Sequence, residues 1–109
     1  MTYIHKDLAS GRWQTLSLTE QMGNIGSEIG RAANWQKKDK KLFEGAVSRA
    51  LELLDLTIND GRWRKRLKEL TRVRELLSDA FFGGQEYGTT WEDLDKYFFN
   101  FAIMSRGNK

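Results

Sequence analysis

Ser17-Leu18-Thr19-Glu20-Gln21-Met22-Gly23-Asn24-Ile25-Gly26-Ser27-Glu28-Ile29-Gly30-Arg31-Ala32-Ala33 is the stretch that decides the fold. It opens as a capping box: the Ser17 hydroxyl can accept from the amide of Glu20, whose carboxylate can reach back. Leu18, Met22, Ile25, Ile29 and Ala32 then recur at steps of three and four, the period of one helix face, and predict a helix over 18–37. Beside this stripe runs a second lane, Gly23, Gly26, Gly30 and Ala33. A glycine inside a helix costs about 0.5 to 1 kcal/mol relative to alanine, so three of them imply close approach of a backbone or a bulky ring. That neighbour belongs either to the same bundle or to another subunit.

The same period holds on both sides of this stretch. A second helix is expected over 39–58, with Phe43, Ala46, Val47, Ala50, Leu53, Leu54 and Ile58 inward, stopping at the turn signal Asn59-Asp60-Gly61. A third, from about Arg62 to Phe82, buries Trp63, Leu67, Leu70, Val73, Leu77 and Ala80 and ends at Gly83-Gly84. Thr90-Trp91-Glu92-Asp93 is a further hydroxyl cap with acids in the first turn, opening a fourth helix that runs to about Arg106. Alternation with period two is never sustained. The expected fold is therefore all-α, an antiparallel up-down four-helix bundle over 17–109 preceded by an arm over 1–16. Tyr3, Ile4, Leu8 and Trp13 make the arm too apolar for a solvated tail, so part of it should pack on the bundle or on another copy. On the fourth helix Trp91, Leu94, Phe98 and Phe101 suffice for an inner stripe, which leaves Phe99 and Ile103 facing the arm or a second copy.

Charge is unevenly distributed. Arg62-Trp63-Arg64-Lys65-Arg66-Leu67-Lys68-Glu69-Leu70-Thr71-Arg72-Val73-Arg74 holds seven of the eighteen basic side chains and one acid, in a chain of net charge +3. These cations fall where a helix should begin, at the positive end of its dipole, where they oppose helix formation. On a continuous helix Arg64, Lys65, Lys68 and Arg72 share an outward face, flanked by Arg62 and Arg66. Such a strip matches a phosphate backbone, whose condensed counterions it would release. The plainer reading is a solvated face with pairs such as Arg72 with Glu75 and Arg66 with Glu69. Trp63 either stacks on a base or anchors the helix, and burial is favoured. Lys37, Lys38, Lys40 and Lys41 form a second group, explained by the C-terminal end of the first helix.

Chemistry is represented mainly by absences. Zero cysteines exclude disulfides, thiolate ligands and a cysteine nucleophile. The single histidine, His5, lies on the arm, and no Glu-x-x-His pair supports a di-iron bundle. Glu28, Arg31, Arg49, Glu52, Asp55 and Asp79 read as ion pairs between helices. No cofactor or metal is expected, and no enzyme. No apolar run is long enough for a bilayer, the first residues lack a signal peptide's blocks, and a cytoplasmic protein is expected.

The segments Leu16 to Ala32, Arg49 to Ile58 and Lys96 to Ala102 resemble a family of small prokaryotic four-helix proteins that mostly carry no assigned activity. More loosely, a basic four-helix chain of this size is similar to the accessory variability determinant of diversity-generating retroelements. That resemblance implies a homo-oligomeric bundle with a positive surface that binds a reverse transcriptase and its template RNA. The chain also looks like helical ribonuclease-like toxins of the HEPN class, but it lacks their arginine–histidine signature because His5 precedes every helix. The combined expectation is an accessory protein that binds nucleic acid, RNA favoured over DNA, through Arg62, Arg64, Lys65, Arg66, Lys68 and Arg72. Gly23, Gly26, Gly30, Phe99 and Ile103 are then the candidate oligomer or partner contacts. The alternative is a protein–protein adaptor or antitoxin-like partner whose cations meet an acidic protein surface.

Overall fold

The computed structural model describes residues 11–84 and 87–107. Its α-helices are α1 (Leu18–Trp35), α2 (Lys40–Ile58), α3 (Leu67–Phe81) and α4 (Trp91–Gly107), with no strand among the described residues. The class is all-α, as the periodicity predicts. The expectations placed on Tyr3, Ile4, His5 and Leu8, and on the side chains of Phe101 and Ile103, lie outside the described residues.

Both halves of the predicted capping box form. Ser17 Oγ accepts from the Glu20 amide at 3.1 Å, and Glu20 Oε1 accepts from the Ser17 amide at 2.9 Å. The backbone hydrogen bond from Ser17 comes first among the influences that hold the Glu20 carboxyl below its ordinary range. α1 lies at the centre, with α2 and α4 against it, while α3 rests chiefly on α2. Its stripe of Met22, Ile25, Ile29 and Ala32 is completely buried. The glycine lane seats α4: a Cβ on Gly26 would stand 2.8 Å from Phe98 Cβ, and one on Gly30 would meet Asp95 Oδ1 at 3.5 Å. The bulky ring implied by the lane is thus Phe98 of the same chain, and Gly26 serves the α1–α4 contact rather than a surface open to a second copy.

Asp39 caps α2 by accepting from the Leu42 amide at 3.0 Å. Phe43 of α2 stacks on Phe81 of α3 and meets Trp91 of α4 edge-on, with centroids 5.9 and 5.3 Å apart, so three helices close over one aromatic group. α3 stops at Gly83 and Gly84, whose φ values of +96° and +74° favour glycine; a Cβ on Gly84 would also stand 2.8 Å from the Thr89 carbonyl. Buried Asp79 accepts from the amides of Tyr87 and Thr89, both at 3.2 Å, fixing the connection into α4. Thr90 Oγ1 then caps α4 by accepting from the Asp93 amide at 3.1 Å.

The start of α3 differs from the expectation. Gly61–Arg66 winds as a 3-10 helix, interrupted at Trp63 (φ −102°, ψ 23°), and the α-helix begins only at Leu67. Two anchors account for this. Asp60 Oδ1 accepts the Arg62 amide at 3.1 Å, and the Trp63 indole donates to Gln21 Oε1 at 2.9 Å. Ahead of α1, Trp13–Thr15 forms a short 3-10 turn whose Trp13 is fully buried, so this part of the arm packs on the bundle.

Candidate functional site

The basic run divides into cations held by the fold and cations left to solvent. Arg62 belongs to the first group. Its Nε and Nη2 donate to the Asp60 carboxylate, the closest contact being 2.7 Å, and Nη2 also donates to the Leu16 carbonyl at 2.7 Å. The guanidinium lies 4.4 Å over the Trp63 ring. Gln21, completely buried, donates from Nε2 to the Trp13 carbonyl at 2.9 Å and to Asp60 Oδ2 at 3.2 Å, while its Oε1 receives the Trp63 indole. Thr57 Oγ1 accepts from Trp13 Nε1 at 3.0 Å and donates to the Leu53 carbonyl at 3.1 Å. These polar side chains satisfy one another, as burial demands. The hydrogen bond from Arg62 holds the Asp60 carboxyl below its ordinary range against the opposing effect of burial, and the same bond raises Arg62.

Further along, Arg66 pairs with Glu69 at 2.8 Å at the start of α3 and Arg72 with Glu75 at 3.9 Å in its middle, both three residues apart. Arg74 reaches Asp55 of α2 at 2.7 Å. The Arg66–Glu69 pair also faces Tyr97, whose hydroxyl donates to Glu69 Oε1 at 3.4 Å and is raised chiefly by burial. Arg64, Lys65 and Lys68 are exposed and make no ion pair or side-chain hydrogen bond among the described residues. On α1 and α2, Glu28 binds Arg31 at 3.0 Å and Arg49 at 3.3 Å, a structural cluster of the kind expected. Lys37, Lys38, Lys40 and Lys41 are exposed, with Lys38 donating to Asn34 Oδ1 at 3.1 Å.

The continuous α-helix expected to carry Arg64, Lys65, Lys68 and Arg72 on a shared face is broken where the 3-10 segment meets α3. Lys65, Arg66, Lys68 and Arg72 still converge. With Glu69, Thr71 and Glu75 they line an open groove of about 610 Å³. Arg64 stands outside that lining, and Arg62 is held by Asp60. Trp63, half-buried, anchors the segment to α1.

A second groove of about 650 Å³, which the sequence barely signals, shares Thr71 and Glu75 with the first and adds Arg74, Ser78, Asp79, Phe82 and Tyr87. Phe82 is 73% exposed and Tyr87 47%. The Phe82 ring rests edge-on against Phe81 at 5.1 Å. The Tyr87 hydroxyl donates to Glu75 Oε2 at 3.2 Å, and the Arg72 guanidinium lies 4.5 Å over its ring. The one signal in the chain is the adjacent pair Phe81-Phe82 before two glycines, since neighbouring helical positions cannot both face the core. Of the other predicted contacts, Phe99 is exposed, Gly23 and Gly30 are half-exposed, and the side chain of Ile103 lies outside the described residues. No described helix is long and apolar enough to cross a membrane. No family model, curated protein or solved structure matches the chain.

Proposed function

We propose that this chain is a non-catalytic accessory protein that binds nucleic acid, with RNA preferred, through Arg64, Lys65, Lys68 and the adjoining Arg66 and Arg72. The observation that carries the reading is the exposure of Arg64, Lys65 and Lys68 without a carboxylate partner among the described residues, beside two further cations whose pairs are exposed. Exposed pairs of this kind contribute about 0 to 1 kcal/mol and exchange readily for a phosphate. Phosphates would relieve the mutual repulsion of these cations while their own counterions are released. Arg62 is excluded from the binding set, since Asp60 and the Leu16 carbonyl already hold it.

A strip of this size binds weakly by itself, and repetition around a homo-oligomer would raise avidity without new contacts. The preference for RNA, and a protein partner such as a reverse transcriptase, follow from the resemblance to retroelement accessory proteins; exposed Phe99 offers a surface for a partner or a second copy. A mobility-shift assay with structured RNA tests the reading by comparing the parent with Arg64→Glu plus Lys68→Glu. The double variant is expected to lose most binding. Undiminished binding by the variant, or none by the parent, overturns the proposal, and the second result points to an adaptor whose cations meet an acidic protein.

A further inference from the structure

We infer that the groove beside the basic strip is a base-stacking platform, so that the nucleic acid recognised here is single-stranded, with Phe82 and Tyr87 taking unpaired bases and Lys65, Lys68 and Arg72 holding the phosphates. The inference rests on the function proposed above and specifies its ligand. The two grooves adjoin through Thr71 and Glu75, giving a path from Lys65 and Lys68 past Arg72 to the rings. From Lys68 to Phe82 this path runs about 20 Å along α3, a length suited to several nucleotides of one strand. Both residues are exposed and both rings are held in place: Phe82 by Phe81, Tyr87 by its hydrogen bond to Glu75 and by Arg72 over one face, so that a base on Tyr87 takes the opposite face. Stacking needs a free π-face, which paired bases inside a duplex do not offer and unpaired bases do. Among the described residues, the acids lining the path are already engaged, Glu69 by Arg66. Glu75 is bridged to Arg72 and Tyr87, and buried Asp79 accepts from two backbone amides.

Fluorescence anisotropy with the full chain would use three labelled probes: a mixed-sequence single-stranded RNA, the same sequence as single-stranded DNA, and the RNA as a duplex. Both single strands are expected to bind more tightly than the duplex. Phe82→Ala plus Tyr87→Ala should weaken single-strand binding on the order of ten-fold or more while leaving duplex affinity unchanged. Phe82→Tyr, which keeps a stacking ring, should retain the parent's affinity. Duplex bound as tightly as single strands, or a double-alanine variant that binds single strands like the parent, overturns the inference. If Arg64→Glu plus Lys68→Glu nevertheless abolishes binding in that experiment, nucleic-acid binding itself stands. Should the charge-reversed protein bind like the parent, or the parent bind no probe, both fall together.

Discussion

Arg62 and Lys68 lie within one basic run, and their surroundings differ chiefly in whether a buried acid is at hand. Asp60 sits two residues before Arg62, accepts its backbone amide and its guanidinium, and is itself held by Gln21 from α1. Lys68 has no such acid among the described residues and is exposed. The same positive charge therefore has two settings. At the entry to α3 it ties the segment before α1 to the turn after α2; six residues later it is exposed to solvent. Counting cations along the chain does not separate these roles, whereas finding their acceptors does.

The comparison can be broken at the closed end first. Trp13→Ala empties a completely buried site and removes the donor to Thr57, so a loss of about 3 to 5 kcal/mol is expected in urea denaturation. Gln21→Leu preserves bulk but strands the Trp63 indole and the Trp13 carbonyl, and should cost about 1 to 3 kcal/mol by the same measurement. Asp60 gives a pH signature. Its folded pKa is depressed, so its contribution is present above the unfolded value near about 3.9 and is lost as pH falls through the lower folded value. Asp60→Asn should accordingly flatten the decline in stability below about pH 4, and an unchanged acid limb would mean that Arg62 does not hold the carboxylate. At the open end, Lys65→Gln plus Lys68→Gln should change stability by no more than about 0.5 kcal/mol, because neither side chain supports the fold.

Much of the helical framework was legible in the chain. Ser17 with Glu20, and Thr90 with its following acids, announce helix starts by local chemistry, and Met22, Ile25 and Ile29 mark a face by spacing alone. The glycine lane gave the close approach but not its partner, since Phe98 is more than sixty positions away and its arrival at Gly26 is a tertiary fact. The false start of α3 has a similar origin. Residues 62–66 are acceptable helix formers, and it is Gln21, drawn in from α1, that joins the local Asp60 cap in holding Trp63 out of helical geometry. The candidate site was half-visible for the same reason: local acids predicted the Arg66–Glu69 and Arg72–Glu75 pairs, while Asp55 on another helix claimed Arg74 unseen. Phe82 and Tyr87 escaped notice because they flank a turn and have no periodicity to reveal them.

The most direct test is the dependence of RNA affinity on salt, measured for the parent, for Arg62→Gln and for Lys65→Gln plus Lys68→Gln, each first shown to be folded. Removing the two lysines should flatten the slope of log affinity against log salt by about 1.4, while Arg62→Gln should keep the parent's slope. An Arg62→Gln slope flattened as much as that of the double variant, or a double variant with the parent's slope, would contradict the division between fold-bound and partner-bound cations.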